Sequence, residues 1–140
     1  MIIEQLNPNS VTRPILKLLN QLGDTNKLKL AEARDIIKEQ ISNNHFTYII
    51  FQDDLPLGVG SIIISKKLIR NGRKCVFFED IAIHKKYHRR GLGKKLVQHL
   101  IKIARAVGAY KIMLTCDDKN IEFYRKLGFE ICGNNMRIDL

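Results

Sequence analysis

Cysteine is scarce in this sequence of 140 residues: the chain has Cys75, Cys116 and Cys132, far apart and without a CxxC pair. An odd number of distant cysteines argues against both a disulfide framework and a zinc site, and it is typical of a reducing compartment. The four histidines do not form a ligand pattern either. We therefore expect a cytoplasmic protein that binds no metal.

Long hydrophobic runs are also lacking. No apolar run approaches the roughly 20 residues that cross a bilayer, and the first residues, MIIEQLNPNS, lack the basic region and apolar stretch of a secretory signal. Internal repeats, low-complexity tracts and Pro/Ser-rich linkers are absent as well. With 45% hydrophobic and 27% charged residues, the chain is expected to form one globular domain over residues 1–140, without a membrane partner.

Acidic residues are few relative to basic ones, with 14 Asp and Glu against 24 Lys and Arg, and the formal net charge is +10. Such a surface attracts polyanions, which could be nucleic acid, a membrane face or a phosphorylated small molecule. The charge is concentrated in two stretches, one at 66–74 and the other at 85–95. Solvated loops that aid solubility are the plain alternative, but both stretches border the features described below.

The apolar periodicity predicts six strands and four helices. Strands are expected at 1–6, 46–52, 57–68, 74–83, 110–116 and 129–138, and helices from Ser10 to Gly23 and over 27–42, 91–107 and 119–127. Asn71-Gly72 predicts a tight two-residue hairpin, because both residues tolerate a positive φ. The order β-α-α-β-β-β-α-β-α-β indicates the α/β (α+β) class, with a mixed, mostly antiparallel sheet flanked by helices and one βαβ crossover.

A first candidate binding feature is the loop His88-Arg89-Arg90-Gly91-Leu92-Gly93-Lys94, placed between a strand and a helix. Glycines let the backbone approach a ligand closely, and the first N–H groups of a helix lack internal partners. These groups and the positive helix end bind phosphate, and flanking Arg and Lys side chains add charged hydrogen bonds. The loop is neither a Walker loop nor a dinucleotide fingerprint, because the glycine spacing of both is missing.

Glu79 and Asp80 lie within an otherwise apolar strand. Strand alternation places them on opposite faces, so at least one is expected to point toward a covered side of the sheet. A carboxylate there is costly unless it is paired or used. It either forms a salt bridge with a nearby Lys or Arg, or it orients or deprotonates an amino substrate.

Tyr124 lies in the short helix predicted at 119–127, after the acidic pair Asp117-Asp118 and before Gly128. Its phenol could donate a proton or a hydrogen bond to a leaving group. An isolated tyrosine on such a helix is more often a packing residue with a hydroxyl at the surface. Only the combination of this tyrosine with the two preceding features is specific.

Taken in order, a strand leading into a GxG helix, a further strand and N-x-x-F-Y-x-K-x-G-F resemble the GNAT N-acetyltransferase superfamily over residues 76–138. The resemblance implies an acetyl-CoA site in a wedge between the strands at 76–83 and 110–116. It implies that backbone at Ile81, Ala82 and Ile83 holds the pantetheine arm. The other implied cofactor contacts are the pyrophosphate loop and two downstream residues: His88, Arg89, Arg90, Gly91, Leu92, Gly93, Lys94, Asn120 and Tyr124. His88 departs from the Gln or Arg of the family pattern.

Within the superfamily, the segments FEDIAIHKKYHRRGLGKKL and AYKIMLTCDDKNIEFYRKLGFE are similar to the enzymes that acetylate amino-sugar phosphates. This similarity implies a small-molecule acceptor contacted by residues from several segments: Asn20, Lys67, Arg70, Glu79, Asp80, Gly108, Ala109 and Arg137. It also implies a homodimer in which the C-terminal strand of one subunit contributes to the site of the other. Thr115 and Asp139 depart from the family pattern, which has Asp and Arg at those positions.

The reaction that the resemblance implies is direct transfer in a ternary complex. Glu79 would orient the amine and accept its proton, a backbone N–H at Ile81 would polarise the thioester carbonyl, and Tyr124 would assist the departing thiolate. Cys116 is an alternative nucleophile, although no histidine lies near it in sequence.

Two other functions stay open at this point. One is acetylation of a different small-molecule or protein amine by the same fold. The other is a small basic nucleic-acid-binding domain, which the clustered Lys and Arg residues favour. The chain has no base-reading module, and Glu79, Asp80 and Tyr124 would then have no role. We therefore expect no nucleic-acid partner.

Overall fold

Five strands form one sheet in the computed structural model, which describes residues 1–140. They are β1 (Ile2–Gln5), β2 (His45–Gln52), β3 (Leu55–Lys66), β4 (Lys74–Ile83) and β5 (Ala109–Leu114), and they lie in this order across the sheet. The first three pairs are antiparallel and the pair β4–β5 is parallel. This confirms the predicted mixed, mostly antiparallel sheet.

Five helices accompany the sheet: α1 (Arg13–Leu19), α2 (Leu30–Ser42), the single turn α3 (Ile69–Gly72), α4 (Leu92–Ala106) and α5 (Ile121–Arg125). Short 3₁₀ turns precede α4 at Lys85–Tyr87 and α5 at Asp118–Asn120. None of the helices combines the length and the apolar character needed to cross a membrane.

The core lies on both faces of the sheet. Ile49 on β2 packs with the buried residues of α1 and α2, whereas the neighbouring Tyr48 packs with those of α4. This division follows from the two-residue period of a strand, which sends successive side chains to opposite faces. Each fully buried Leu or Ile contributes about 1.5–3 kcal/mol relative to an exposed position.

Helix α4 is the crossover that makes β4 and β5 parallel. Its sequence spacing predicts an apolar stripe, and Leu92, Leu96 and Leu100 of that stripe are buried. Ile103 and Val107 at its end are half-buried and pack at the margin of the same cluster. Buried side chains from Leu92 to Ala104 therefore fix the helix on the sheet, and with it the N-terminus where the candidate phosphate-binding residues lie.

The strand predicted at 129–138 is absent. Residues 129–140, here called the C-terminal tail, contain no regular element. Gly128 and Gly133 have positive φ values of 97° and 65°, which turn the chain away from extended geometry at two points. The apolar residues Ile131, Met136 and Ile138 of the tail are exposed.

The turn predicted at Asn71-Gly72 is wider than a two-residue hairpin. The antiparallel pairing of β3 and β4 ends at Lys66 opposite Lys74, and the residues 67–73 between them are called the hairpin loop below. Arg70 shares the left-handed conformation of Asn71 and Gly72, with φ values of 58°, 58° and 76°. Three such residues in succession form the turn α3 and do not fit a two-residue loop.

The first helix begins later than predicted. Its N-cap is Thr12 and Pro14 occupies its first turn, where the missing N–H is not needed. Ser10, the predicted N-cap, instead uses its hydroxyl within the preceding turn, where it accepts from the N–H of Asn7 at 2.9 Å. The helix also ends before Gly23, at Leu19.

Candidate active site

Strand β4 carries a β-bulge at its two carboxylates. The pairing with β3 shifts between Ser61, which lies opposite Glu79, and Val59, which lies opposite Ala82. Asp80 adopts a positive φ of 51°, so the alternation of side chains is broken there. Glu79 and Asp80 are both exposed, and the prediction that one of them faces a covered side of the sheet is wrong.

Beyond the bulge, β4 and β5 separate. Their parallel pairing ends at Phe78 opposite Leu114, the last residue of β5, whereas β4 continues to Ile83. The edge of β4 from Glu79 onward therefore has no neighbouring strand on the β5 side. A strand edge of this kind can pair with an extended ligand through its backbone groups.

The segment between β4 and α4, residues 84–91, is called the phosphate loop below. It contains two left-handed residues, Arg89 with a φ of 62° and Gly91, the N-cap of α4, with a φ of 76°. No side chain caps α4, so its first N–H groups have no side-chain partner. Gly93 lies against the ring of Phe123, which would be 3.3 Å from a Cβ added at that position.

The cations around this helix end are exposed and free of carboxylate partners. Arg89, Arg90 and Lys94 lie at the surface, and the guanidinium of Arg90 is 5.0 Å from the ring centre of Tyr87. The two ion pairs of the structure lie elsewhere, on α5 and in the C-terminal tail. An uncapped helix start and unpaired cations together form a site suited to an anion.

Side-chain hydrogen bonds fix the start of the phosphate loop. His88 Nε2 lies 2.9 Å from the carbonyl oxygen of Ile83, and since a carbonyl only accepts, this nitrogen carries the proton. Gln21 Nε2 donates to the same oxygen at 3.1 Å, and Gln21 Oε1 accepts from the N–H of Lys85 at 3.2 Å. No motif marks Gln21, and its contact joins residues more than 60 positions apart, so sequence analysis does not find it.

Tyr124 lies half-buried on α5, in an aromatic cluster. Its ring centre is 4.9 Å from that of Phe123 and 5.7 Å from that of Phe129. Burial, with a further contribution from Cys116, raises the pKa of Tyr124 to about 12. The phenol is therefore protonated at neutral pH, which is the form that can donate to a leaving group.

A cavity of about 720 Å³ opens beside Tyr124. Its wall is formed by β5, α5 and the start of the C-terminal tail, including the free thiols of Cys116 and Cys132. Thr115 also lines it, and its hydroxyl donates to Asn135 Oδ1 at 3.4 Å. No residue of the phosphate loop lines this cavity, so Tyr124 belongs to the cavity while the candidate phosphate-binding groups lie outside it.

The cationic acceptor candidates gather near the start of β4. Lys67 Nζ lies 5.8 Å from the ring centre of an aromatic residue on β4, and the Arg70 guanidinium lies 5.9 Å from the ring centre of Tyr110. Gly108 and Ala109 immediately precede Tyr110 at the start of β5. The structure therefore brings these four predicted residues to one end of the sheet.

Glu79 and Asp80 do not lie at that end. Glu79 is five residues beyond Lys74 along β4, which corresponds to about 16 Å at the usual rise of a strand. Along the chain Glu79 is five residues from the phosphate loop and six from the hairpin loop, and Lys67 Nζ of the hairpin loop lies 5.8 Å from the ring centre of Phe77, two residues before Glu79.

Three further predicted contacts join neither group. Asn20 Oδ1 accepts from the N–H of Thr25 at 2.9 Å and so stabilises the turn after α1. Arg137 lies in the exposed tail, where its Nε donates to Asp139 at 2.6 Å. Asn120 is exposed at the start of α5. No cluster of three or more His, Cys, Asp and Glu side chains in the structure could hold a metal ion.

A comparison with known protein families assigns the chain to one of them. Residues 16–129 match the Acetyltransferase (GNAT) family. The chain belongs to this family. The β4 bulge, the parting of β4 from β5 and the glycine-containing start of α4 are accordingly features of a GNAT domain, and the resemblance found in the sequence is confirmed.

Two relatives and one solved structure show which proteins of this family the chain is similar to. A glucosamine 6-phosphate N-acetyltransferase of Trypanosoma brucei brucei is 39% identical over 84 residues, which span 60% of this chain and only 57% of that protein. A glucosamine 6-phosphate N-acetyltransferase of Dictyostelium discoideum is 35% identical over 81% of this chain and 73% of its own length. The crystal structure of glucosamine-6-phosphate N-acetyltransferase from Arabidopsis thaliana superimposes with a TM-score of 0.92 at 27% identity, covering 99% of this chain and 97% of that one.

Proposed function

We propose that this GNAT domain transfers the acetyl group of acetyl-CoA to the amine of D-glucosamine 6-phosphate, giving N-acetylglucosamine 6-phosphate for UDP-N-acetylglucosamine synthesis in the cytoplasm. The observation that carries the proposal is the similarity to relatives of that activity, at 39% and 35% identity. The site geometry supports it independently, because the chain offers an anion site, an exposed carboxylate and a protonated phenol along one strand and the helices that follow it.

The residues at the end of β4 fit acetyl-CoA. The uncapped start of α4, with left-handed Gly91 and the exposed Arg89 and Arg90, suits the pyrophosphate. The unpaired edge of β4 suits the extended pantetheine arm. The carbonyl of Ile83 already accepts from Gln21 and His88, and a carbonyl oxygen has two lone pairs. We therefore expect the arm to bind other backbone groups of Ile81–Ile83.

Two side chains would carry the proton movements. Glu79 is exposed beside the bulge and can accept a proton from the ammonium group of the acceptor, directly or through water, so that the neutral amine attacks the thioester carbonyl. Tyr124 would donate a hydrogen bond to the departing thiolate from its phenol, which its raised pKa keeps protonated. A backbone N–H at Ile81 would stabilise the negative charge that develops on the carbonyl oxygen.

The acceptor site suggests a homodimer. In one chain Lys67 Nζ lies 5.8 Å from the ring centre of Phe77, two residues before Glu79, whereas Arg137 lies in the exposed tail, paired with Asp139. The single chain therefore does not bring Arg137 to the other predicted acceptor contacts. The C-terminal tail exposes Ile131, Met136 and Ile138, and β5 is an edge strand beside the cavity. A second copy that pairs with this edge would cover the apolar residues and could bring Arg137 to the neighbouring site. Light scattering coupled to gel filtration measures the assembly directly, and a monomer at working concentration would contradict it.

The deciding experiment follows CoA release from acetyl-CoA with a thiol reagent, on addition of glucosamine 6-phosphate, glucosamine or spermidine. We expect saturable release with the sugar phosphate and much less with glucosamine, because the exposed cations would hold the phosphate. Release with another amine only would keep the acetyltransferase and overturn the acceptor. A protein that neither releases CoA nor binds acetyl-CoA, but binds nonspecific DNA with a steep dependence on salt, would favour the nucleic-acid alternative.

A further inference from the structure

The side chain of Gln21 joins two segments that lie far apart in sequence. It comes from residues 20–25, here called the α1 turn, and reaches the end of β4. Its amide donates to the carbonyl of Ile83 at 3.1 Å and accepts from the N–H of Lys85 at 3.2 Å. The carbonyl of Ile83 and the N–H of Lys85 lie on either side of His84. The Gln21 amide bonds both groups, as the backbone of a neighbouring strand would.

The segment that Gln21 reaches is the start of the phosphate loop. His84 is held from the opposite side, because its N–H donates to the carbonyl of Leu57 at 2.7 Å. His88 closes back onto Ile83, and Lys86 N–H donates to His84 Nδ1 at 3.2 Å. Gln21 lies outside both β4 and the phosphate loop, and its side chain donates a hydrogen bond to this network.

The α1 turn is itself an ordered unit. Asn20 Oδ1 accepts from the N–H of Thr25, and the Thr25 hydroxyl donates to the carbonyl of Leu16 at 2.7 Å. Gln21 follows Asn20 directly, so a shift of the phosphate loop that moves Gln21 also moves Asn20. Asn20 is one of the residues that the sequence resemblance assigns to the acceptor.

The geometry points to Gln21 as a positioning residue that couples the phosphate loop to the α1 turn, so that binding of acetyl-CoA at the loop further restrains the turn. The inference rests on the proposed function for its cofactor. Glutamine suits the role, because one side chain must supply a donor and an acceptor at the spacing of a peptide group. The reciprocal effect follows by linkage: order in the α1 turn tightens binding of acetyl-CoA by the same factor.

The test compares the full-length protein with Gln21→Met, which keeps the length of the side chain and removes both hydrogen bonds. Hydrogen–deuterium exchange measures protection of the Lys85 and Thr25 amides, with and without acetyl-CoA. In the wild type, we expect acetyl-CoA to slow exchange at Thr25. In Gln21→Met, exchange at Lys85 should be faster and the effect of acetyl-CoA on Thr25 should vanish. Calorimetry should show the Kd for acetyl-CoA raised about fivefold, the size expected from a lost pair of exposed hydrogen bonds.

Two variants control the interpretation. Gln98→Met makes the same chemical change at an exposed position of α4 and should alter none of these readings. Gln21→Glu retains an oxygen for the Lys85 N–H and loses the donor to Ile83. It should therefore keep the protection of Lys85 and still weaken the response of Thr25.

The outcomes separate the inference from the function on which it rests. Unchanged exchange at Lys85 in Gln21→Met, or a full response of Thr25 to acetyl-CoA in that variant, would overturn the coupling while the wild type still binds acetyl-CoA. A wild type that binds no acetyl-CoA would overturn the proposed function, and the coupling with it. Exchange at Lys85 measured without ligand tests the Gln21 contact in either case.

Discussion

The two ends of β4 are built in different ways. At the end that leads into α4, the side chains of Gln21 and His88 hydrogen-bond the backbone, and the uncapped helix start is held by the buried Leu92. At the start of β4, Lys67 and Arg70 lie over aromatic rings and have no carboxylate partner. Both ends offer cations without carboxylate partners, but at the first end side-chain hydrogen bonds also fix the backbone that carries them.

Burial explains part of this difference. Helix α4 covers β4 on one face and contributes five buried residues, so its start has a fixed position. The hairpin loop and the C-terminal tail contribute no buried residues. Acetyl-CoA binding should therefore tolerate changes in the tail that abolish transfer to the acceptor.

Deletion of residues 130–140 is expected to have the largest effect, and it tests whether the tail is needed at one end of β4 and not at the other. We expect acetyl transfer to fall by about 100-fold or more, because a site that needs the partner's tail loses its alignment of the acceptor. Acetyl-CoA affinity, measured by calorimetry, should stay within about twofold of the wild type. A truncated chain with full activity would show that one chain completes the acceptor site.

The next largest effect is expected at Tyr124. Tyr124→Phe should lower kcat by about 100-fold with little change in either KM, since the phenol acts on the leaving thiolate and not on ground-state binding. Steady-state kinetics at neutral pH provides the measurement. Tyr48→Phe is the matched control, because it removes a hydroxyl bonded to Gln5, remote from the site. Equal losses in the two variants would refute the specific role.

Neutral substitutions of the hairpin cations test the other end of β4. Lys67→Met and Arg70→Met should each raise the KM for glucosamine 6-phosphate about tenfold, the size of a lost hydrogen bond between charged groups. The KM for acetyl-CoA should not change. Lys66→Met, an exposed neighbour in β3, serves as the control. An equal effect on unphosphorylated glucosamine would contradict a contact with phosphate.

A smaller effect is expected from Gly91→Ala. A side chain at a φ of 76° costs about 1–2 kcal/mol, and we expect the helix start proposed to bind the anion to shift and relieve this strain. Thermal unfolding should show the loss, and acetyl-CoA should bind more weakly. Gly23→Ala adds the same methyl group where nothing lies within 4 Å and the φ is ordinary, so its stability should be unchanged. Equal stability of the two variants would contradict the argument.

The smallest effect is expected on stability, at a histidine of α4. His99 packs edge-on against Tyr48, with 5.6 Å between ring centres. Burial, and secondly Lys102, lower the pKa of His99 below the ordinary value of 6.5. The unfolded chain therefore binds the proton more readily, and the stability that neutral His99 contributes is lost as the pH falls below about 6.5. His99→Gln should flatten the unfolding free energy over that range, and an unchanged slope would count against it.

Several elements could be predicted from local pattern alone. The bounds 74–83 predicted for β4 are those of the structure, because its apolar run is bordered by basic residues on both sides. The start of α4 was predicted within one residue, since Gly91 and the spacing of Leu92, Leu96 and Leu100 mark it. The predicted strand at 129–138 was wrong although β5 has a free edge, because Gly128 and Gly133 adopt positive φ values that interrupt an extended conformation.

Periodicity and the torsional freedom of glycine are local properties, and they suffice to predict the sheet class, the crossover helix and the kind of residues at the end of β4. Three features of the site depend instead on contacts between distant segments. A bulge at Asp80 exposes both carboxylates, although alternation predicts opposite faces. Burial on α5 raises the pKa of Tyr124. Gln21 reaches Lys85 across 64 positions because α1 packs beside the end of β4. These features depend on which segments meet in space, and a linear pattern does not record that.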